Sequence, residues 1–296
     1  MKNLLSILLL CLSLLSHAQK FEPGGNTITV VVSNAPGGPG DSAGRIFAEY
    51  LTKRGFNAVV QNRPGAGQTL GATYLATQPG NNYMLMVGAK SAYIYPPLSG
   101  VPNLAWNENT FPPVGYVGSA QLVLVTNPTQ IRSTAIGDLV AEHAQNSQRI
   151  NFGTFAGIPE LYLNQAMTTG ATKPNVVIYT SSAKLLTDVI GGSVQVGLLD
   201  LNSAKPLIES GKLQAINWQS PSILTSWWGI YAAPGASREA VEFYSNMLVA
   251  MHADPESQGR LRRAFNAHRA MTLTEFEQFH RSEVQDIRNF LGGAKR

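Results

Sequence analysis

The stretch Ala35-Pro36-Gly37-Gly38-Pro39-Gly40-Asp41 is the first place where the chain offers chemistry. Glycines keep no side chain between a ligand and the backbone, and N–H groups at the start of a helix lack internal partners. Such a bend therefore suits a carboxylate or another small anion. Pro36 and Pro39 have no N–H, which leaves Gly37, Gly38, Gly40 and Asp41 as donors, with Asp41 and Ser42 suited to cap the helix. No Gly-Lys-Ser/Thr closes the bend, so it is not a phosphate loop, and it lacks the Gly-x-Gly-x-x-Gly of a dinucleotide site. A tight strand-to-helix turn without any ligand would read the same way. Comparable small-residue bends recur at 62–67 and 153–159.

Catalytic constellations are not found. His143, His252, His268 and His280 have no partners at metal-ligand spacing, and no His-Glu-x-x-His occurs. His143 beside Glu142 and His252 after a helical stretch read as surface or helix-end residues. No Gly-x-Ser-x-Gly elbow is present, and Ser42 has no recognisable base. A hydrolase built on a binding fold is the only catalytic reading to weigh, and nothing nominates its residues. The single Cys11 excludes a disulfide framework and a cysteine-rich zinc site. The chain is read as a non-enzyme with no cofactor and no metal.

The elements that position these bends alternate. Thr27 to Val32, Asn57 to Gln61 and Tyr83 to Val87 read as strands. Between them lie helical patterns, the first placing Ala43, Ile46, Phe47, Tyr50 and Leu51 on one face. This rhythm favours a parallel sheet with helices on its faces. Leu122 to Val125 is a fourth strand, after which the rhythm restarts. Strands are expected near 150–152, 176–179, 194–199 and 213–218, with helices between them. Trp227 to Ala232 reads as a strand leading back. Three helices close the chain, with Ser237 as one N-cap and Thr272 to Glu275 as a capping box. The expected architecture is α/β with two lobes, the second inserted in the first, and a ligand cleft between them. Lobe 1 would comprise 27–121 and 225–296, and lobe 2 would comprise 122–224.

With 296 residues, two lobes of ~100–150 residues each are reasonable. A net charge of +4 with no basic block leaves nucleic-acid binding without an electrostatic footprint. Lys2, the apolar run from Leu4 to Leu15 and Ser16-His17-Ala18 have the layout of a secretory signal cut before Gln19, so 1–18 is a signal peptide. The run falls short of the ~20 apolar residues of a bilayer span. A soluble exported protein, in a bacterium a periplasmic one, follows from this reading; a monomer is expected, although the signal does not bear on that.

Ala35-Pro36-Gly37-Gly38 with Asp41 and Arg45, followed by Gln61-Asn62-Arg63-Pro64-Gly65-Ala66-Gly67, resembles the substrate-binding receptors of tripartite tricarboxylate transporters, the Bug or TctC-like family. Leu122 to Pro128, Tyr179, Leu186-Thr187-Asp188 before Gly191-Gly192, Gly211-Lys212-Leu213 and Ala232-Ala233-Pro234-Gly235 extend the resemblance over nearly the whole chain after the signal. It implies a periplasmic-binding-protein fold that captures a small organic acid and hands it to membrane transporter subunits. A module presenting its solute to a sensor kinase is the alternative. The implied near-lobe contacts are Ala35, Gly37, Gly38, Asp41 and Ser42, with Ala89, Lys90 and Ser91. The implied far-lobe contacts are Thr154, Phe155, Ala156, Tyr179, Thr180 and Asp200. Arg63 is expected to buttress the loops.

Departures from the family pattern bear on the ligand. Ile158-Pro159-Glu160 stands where the family has Thr-Pro-His, and Thr180-Ser181 where it has Lys-Gly. The far lobe thereby loses positive character, which favours a monocarboxylate, an amino acid or an amide-like molecule over a tri-anion. Glu160 is read as a first-turn residue of a solvated helix rather than a cleft residue. Lys90 either restores a positive charge or faces solvent.

Overall fold

The computed structural model describes residues 21–146, 149–220 and 222–294; the signal expected at 1–18 lies outside the described residues. β-Branched side chains fit a pleated, packed surface, and Ile28–Val32 forms the almost wholly buried β1. After a bend the chain enters α1, Pro39–Lys53, whose Ala43, Ile46, Phe47, Tyr50 and Leu51 all pack inward. β2 (Ala58–Asn62), α2 (Leu70–Ala76) and β3 (Met84–Ala89) continue the alternation, and β1 pairs in parallel with both β2 and β3. A turn of π-helix at Lys90–Ile94 and the short α3, Tyr95–Ser99, follow.

β4, Pro113–Ala120, is a strand that the sequence pattern hides. Its Gly115 and Gly118 look like breakers, yet they sit where neighbours come close. A Cβ on Gly115 would lie 2.8 Å from the Leu248 side chain, and one on Gly118 would lie 2.5 Å from the Phe265 ring.

β5, Leu122–Thr126, starts two residues after β4 ends but belongs to another sheet. Around it come α4 (Ile136–Gln145), β6 (Asn151–Thr154), α5 (Ile158–Met167), β7 (Asn175–Ile178), α6 (Ser182–Gly191), β8 (Val196–Asp200), α7 (Leu201–Glu209) and β9 (Gln214–Ala215). The full strand expected over 213–218 shrinks to β9, because Asn217 turns away to exchange backbone hydrogen bonds with Thr134 and Ile136. β10, Ser226–Ala232, brings the chain back. α8 (Arg238–Ala253), α9 (Pro255–Ala264) and α10 (Leu273–Ala294) finish it. The Ser237 side chain caps α8, and Thr272 with Glu275 forms the expected box at α10.

Two five-stranded sheets result, ordered β2-β1-β3-β10-β4 and β7-β6-β8-β5-β9. Neither is all-parallel, as the alternation suggested. β10 runs antiparallel to β3 and β4, and β5 antiparallel to β8 and β9. The strands that follow the two crossings, β5 and β10, are the ones that break the parallel order. Each sheet is the centre of one lobe, and the second lobe is inserted in the first. At the outgoing crossing, the Gln121 N–H donates to Asn266 Oδ1 at 3.0 Å and its carbonyl accepts from Leu201 N–H at 2.9 Å.

Two histidines read as surface or helix-end residues, His143 and His252, are instead buried, and so is His280. His143 lies edge-on to Phe152 with centroids 5.2 Å apart. His252 Nε2 donates to the Tyr116 carbonyl at 3.1 Å. His280 Nε2 donates to the Glu108 carbonyl at 3.0 Å, while its Nδ1 accepts from the Tyr231 hydroxyl at 2.9 Å. Burial lowers the pKa of all three.

Candidate functional site

Strands β1, β3, β6, β7 and β8 all end at one cleft between the sheets, where loops lead into helices. The first wall is the bend before α1. Gly37 turns it with φ +97°, and Gly38 is an N-cap that supplies no side-chain hydrogen bond. Asp41 does not cap or line the cleft. Its carboxylate is 3% exposed and accepts from Gly37 N–H at 3.1 Å, Arg45 Nε at 2.8 Å and Asn62 Nδ2 at 2.9 Å. Burial pushes its pKa up, but these hydrogen bonds together hold it below the ordinary carboxylate value. Asp41 is thus a brace that fixes the bend against β2. Ser42 lies on α1 with its N–H donating to the Gly38 carbonyl, away from the cleft.

The opposite wall is the start of α6. Its N-cap Ser181 also makes no side-chain capping bond. Ser182 Oγ donates to Asp200 Oδ2 at 2.9 Å, and Asp200 Oδ1 accepts from Ser203 N–H at 2.8 Å, capping α7. A Cβ on Gly38 would stand 4.0 Å from Ser182 Oγ, so two helix starts without side-chain caps face each other across the gap. The lobes touch elsewhere too. A Cβ on Gly67 would lie 3.6 Å from that of Ala156, and one on Gly157 3.2 Å from that of Ser91.

Of the expected contacts, Ala35, Gly38, Ala89, Lys90, Ser91, Phe155, Thr180 and Asp200 line this cleft. Gly37, Asp41, Ser42, Thr154, Ala156 and Tyr179 do not. Thr154 is fully buried, its hydroxyl donating to the Leu198 carbonyl at 3.0 Å. The Tyr179 hydroxyl turns back to Asp188 Oδ2 at 2.8 Å, and burial together with that carboxylate pushes the phenol up to about 12. Asn34, Gln68, Ser182 and Trp228 line the cleft without having been foreseen. Arg63 acts as the expected buttress, stacked 3.5 Å above the Tyr74 ring and donating to Gln61. Glu160 occupies the first turn of α5, its carboxylate accepting from Gly157 N–H at 3.4 Å.

Lys90 departs from both of its readings. It is 4% exposed, and its Nζ lies 2.8 Å from Glu283 Oε2 on α10 and 3.3 Å from the Ile223 carbonyl. The space between the walls, partly open to solvent, measures about 60 Å³. One water needs ~10–15 Å³ on this scale, so the site as it stands takes a ligand of a few heavy atoms. Neither His nor Cys is among the lining residues, and the Ser182–Asp200 pair has no imidazole between hydroxyl and carboxylate. Among the described residues no helix is long and apolar enough to cross a membrane, and no cluster of three metal-binding side chains occurs.

Two sheet-centred lobes with helix starts beside a gap between them are the architecture of two-lobed solute-binding proteins. Residues 44–287 match the model of the tripartite tricarboxylate transporter family receptor. Protein BugT of Bordetella pertussis is 30% identical over 194 residues, 64% of this chain and 59% of that protein. A UPF0065 protein of Bordetella bronchiseptica is 25% identical over 279 residues, 87% and 82% of the two chains. The match thus spans about three-fifths of BugT's own length. In fold, the chain is similar to MatC from Rhodopseudomonas palustris with bound malate, with TM-score 0.76 and 19% identity over 89% of this chain and 98% of that one. A second R. palustris protein, with adipate, gives TM-score 0.73 and 19% identity over 91% and 97%. The chain belongs to the tripartite tricarboxylate transporter receptor family.

Proposed function

We propose that the protein is a periplasmic receptor that closes on a small organic carboxylate and delivers it to the membrane subunits of a tripartite tricarboxylate-type transporter, without turning it over. In this reading 1–18 is removed on export. Lobe 1 is 27–121 with 225–296, lobe 2 is 122–224, and the two crossings near Gln121 and Ile223 act as the hinge. The carrying observation is the opposed pair of helix starts, α1 at Gly38 and α6 at Ser181, neither capped by a side chain. Each presents roughly half a positive charge and unsatisfied N–H groups, worth up to ~2 kcal/mol to an anion in a partly buried setting. A ligand held by both ends favours the closed state over the open one, which gives the transporter a form to recognise. Malate in MatC and adipate in the second R. palustris protein support the carboxylate class.

The test is thermal unfolding of the exported protein against a panel of short mono- and dicarboxylates, amino acids and amides. A bound acid at a hundredfold its Kd adds about 2.7 kcal/mol of stability and raises Tm accordingly. A folded protein that shifts with none of them overturns the reading.

A further inference from the structure

Which acid the cleft takes is written in its charge balance. Lys90 and Asp200 are the ionisable side chains among the lining residues. Lys90 is not available to a ligand as a bare cation. Its ammonium is buried against Glu283, whose Oε2 also accepts from Trp227 Nε1 at 2.7 Å. Asp200 is 2% exposed, and its hydrogen bonds come from neutral donors, Ser182 Oγ and Ser203 N–H. The third nearby helix start, that of α5, already has the Glu160 carboxylate over it. What remains is the pair of helix starts at Gly38 and Ser181, the first with its Asp41 carboxylate already paired with Arg45, together equivalent to roughly one positive charge. With Asp200 held over the α7 start that it caps, that balances one carboxylate. A second carboxylate in so small a space would face Asp200 with no cation to offset it.

We propose that Glu283, which does not line the cleft, sets the charge of the accepted acid by neutralising Lys90, so that the ligand is a short monocarboxylate carrying a hydrogen-bond donor at its other end. This rests on the receptor reading above. The donor follows from Asp200: an ionised carboxylate offers about four lone-pair positions, and two are used here. A hydroxyl, ammonium or amide group on the ligand satisfies the rest. Glu283 sits on α10, 193 positions along the chain from Lys90 (283 − 90), so changing it alters the charge of the cleft without reshaping its walls.

Matched acids that differ by one charge test this: succinate against succinamate, and malonate against malonamate, by calorimetry on the exported protein. The wild type binds each monoamide at least tenfold tighter than its diacid. Glu283→Gln keeps the size and an acceptor for Trp227 but frees the Lys90 charge, and the ratio falls at least tenfold towards the diacid. Glu283→Asp keeps the charge beside Lys90 and stays within threefold of the wild-type ratio; Glu283→Met, which also removes the charge, decides the matter if Glu283→Gln does not fold. A wild-type preference for diacids, an unmoved ratio in whichever neutral variant folds, or a tenfold shift in Glu283→Asp overturns the proposal. Folded wild type that binds none of the four removes the receptor reading for short acids, and this inference with it.

Discussion

The two walls of the cleft present the same device, a helix start with no side-chain cap, but they are held in place by different physics. The first-lobe bend is fixed by hydrogen bonds that radiate from one buried carboxylate, Asp41, to Gly37, Arg45 and Asn62. The second-lobe wall is fixed by packing. Gly153 of β6 lies under Leu185 and Tyr179, and a Cβ there would approach them to 2.4 and 3.0 Å. A polar brace is specific in direction but fails when one partner leaves; a packed brace fails when anything is added. Both hold a helix start beside the gap, so the placing of that start does not depend on which is used.

The comparison can be broken most sharply at Asp41. Asp41→Ala leaves the Gly37 N–H without its acceptor and Arg45 without its carboxylate, while Asn62 keeps only the Asn34 carbonyl, and should cost about 3 kcal/mol in chemical denaturation and abolish ligand-induced stabilisation. Gly153→Ala should cost about 2 kcal/mol by overpacking and weaken binding less, since the α6 start is displaced rather than released. Tyr179→Phe removes only the bond to Asp188 behind the wall, and should lower Tm less than either while leaving affinity unchanged in calorimetry.

The smallest contrast is in pH. His252, His268 and His280 of the first lobe and His143 of the second have folded pKa values held below their ordinary value, in each case first by burial. The unfolded chain takes up their protons first, so their contribution to stability is complete above about pH 6.5 and is lost as pH falls through the folded values. Tm measured from pH 8 to 5.5 should decline below 6.5, and His143→Leu should remove only a minor part of that slope. Asp41 adds a second loss only below about pH 4, because its folded value lies under the unfolded one.

What the sequence revealed was local. The apolar face of α1, the glycine bends, the Ser237 cap and the Thr272 box each depend on residues a few positions apart, and each formed as read. The cleft was legible at its bends, where Ala35, Gly38, Phe155 and Thr180 lie. It was not legible where partners come from afar. Lys90 meets Glu283, Trp228 arrives on a returning strand, and Ser182 lines the gap because Asp200, eighteen positions on, holds it. The histidines misled for the same reason: an imidazole beside charged neighbours in sequence packs into a core that only the fold assembles. β4 escaped notice because its glycines answer to Leu248 and Phe265, which lie far along the chain.

β10 carries two adjacent indoles, and neighbours on a strand point to opposite sides. Trp228 borders the cleft, while Trp227 is turned to Glu283 and the α10 aromatics. Two of the protein's four tryptophans are therefore fluorophores side by side in the chain, one reporting occupancy of the gap and the other the state of the ion pair behind it. Quenching of each, isolated by replacing the other three with Phe, would read ligand entry and charge rearrangement as independent optical signals.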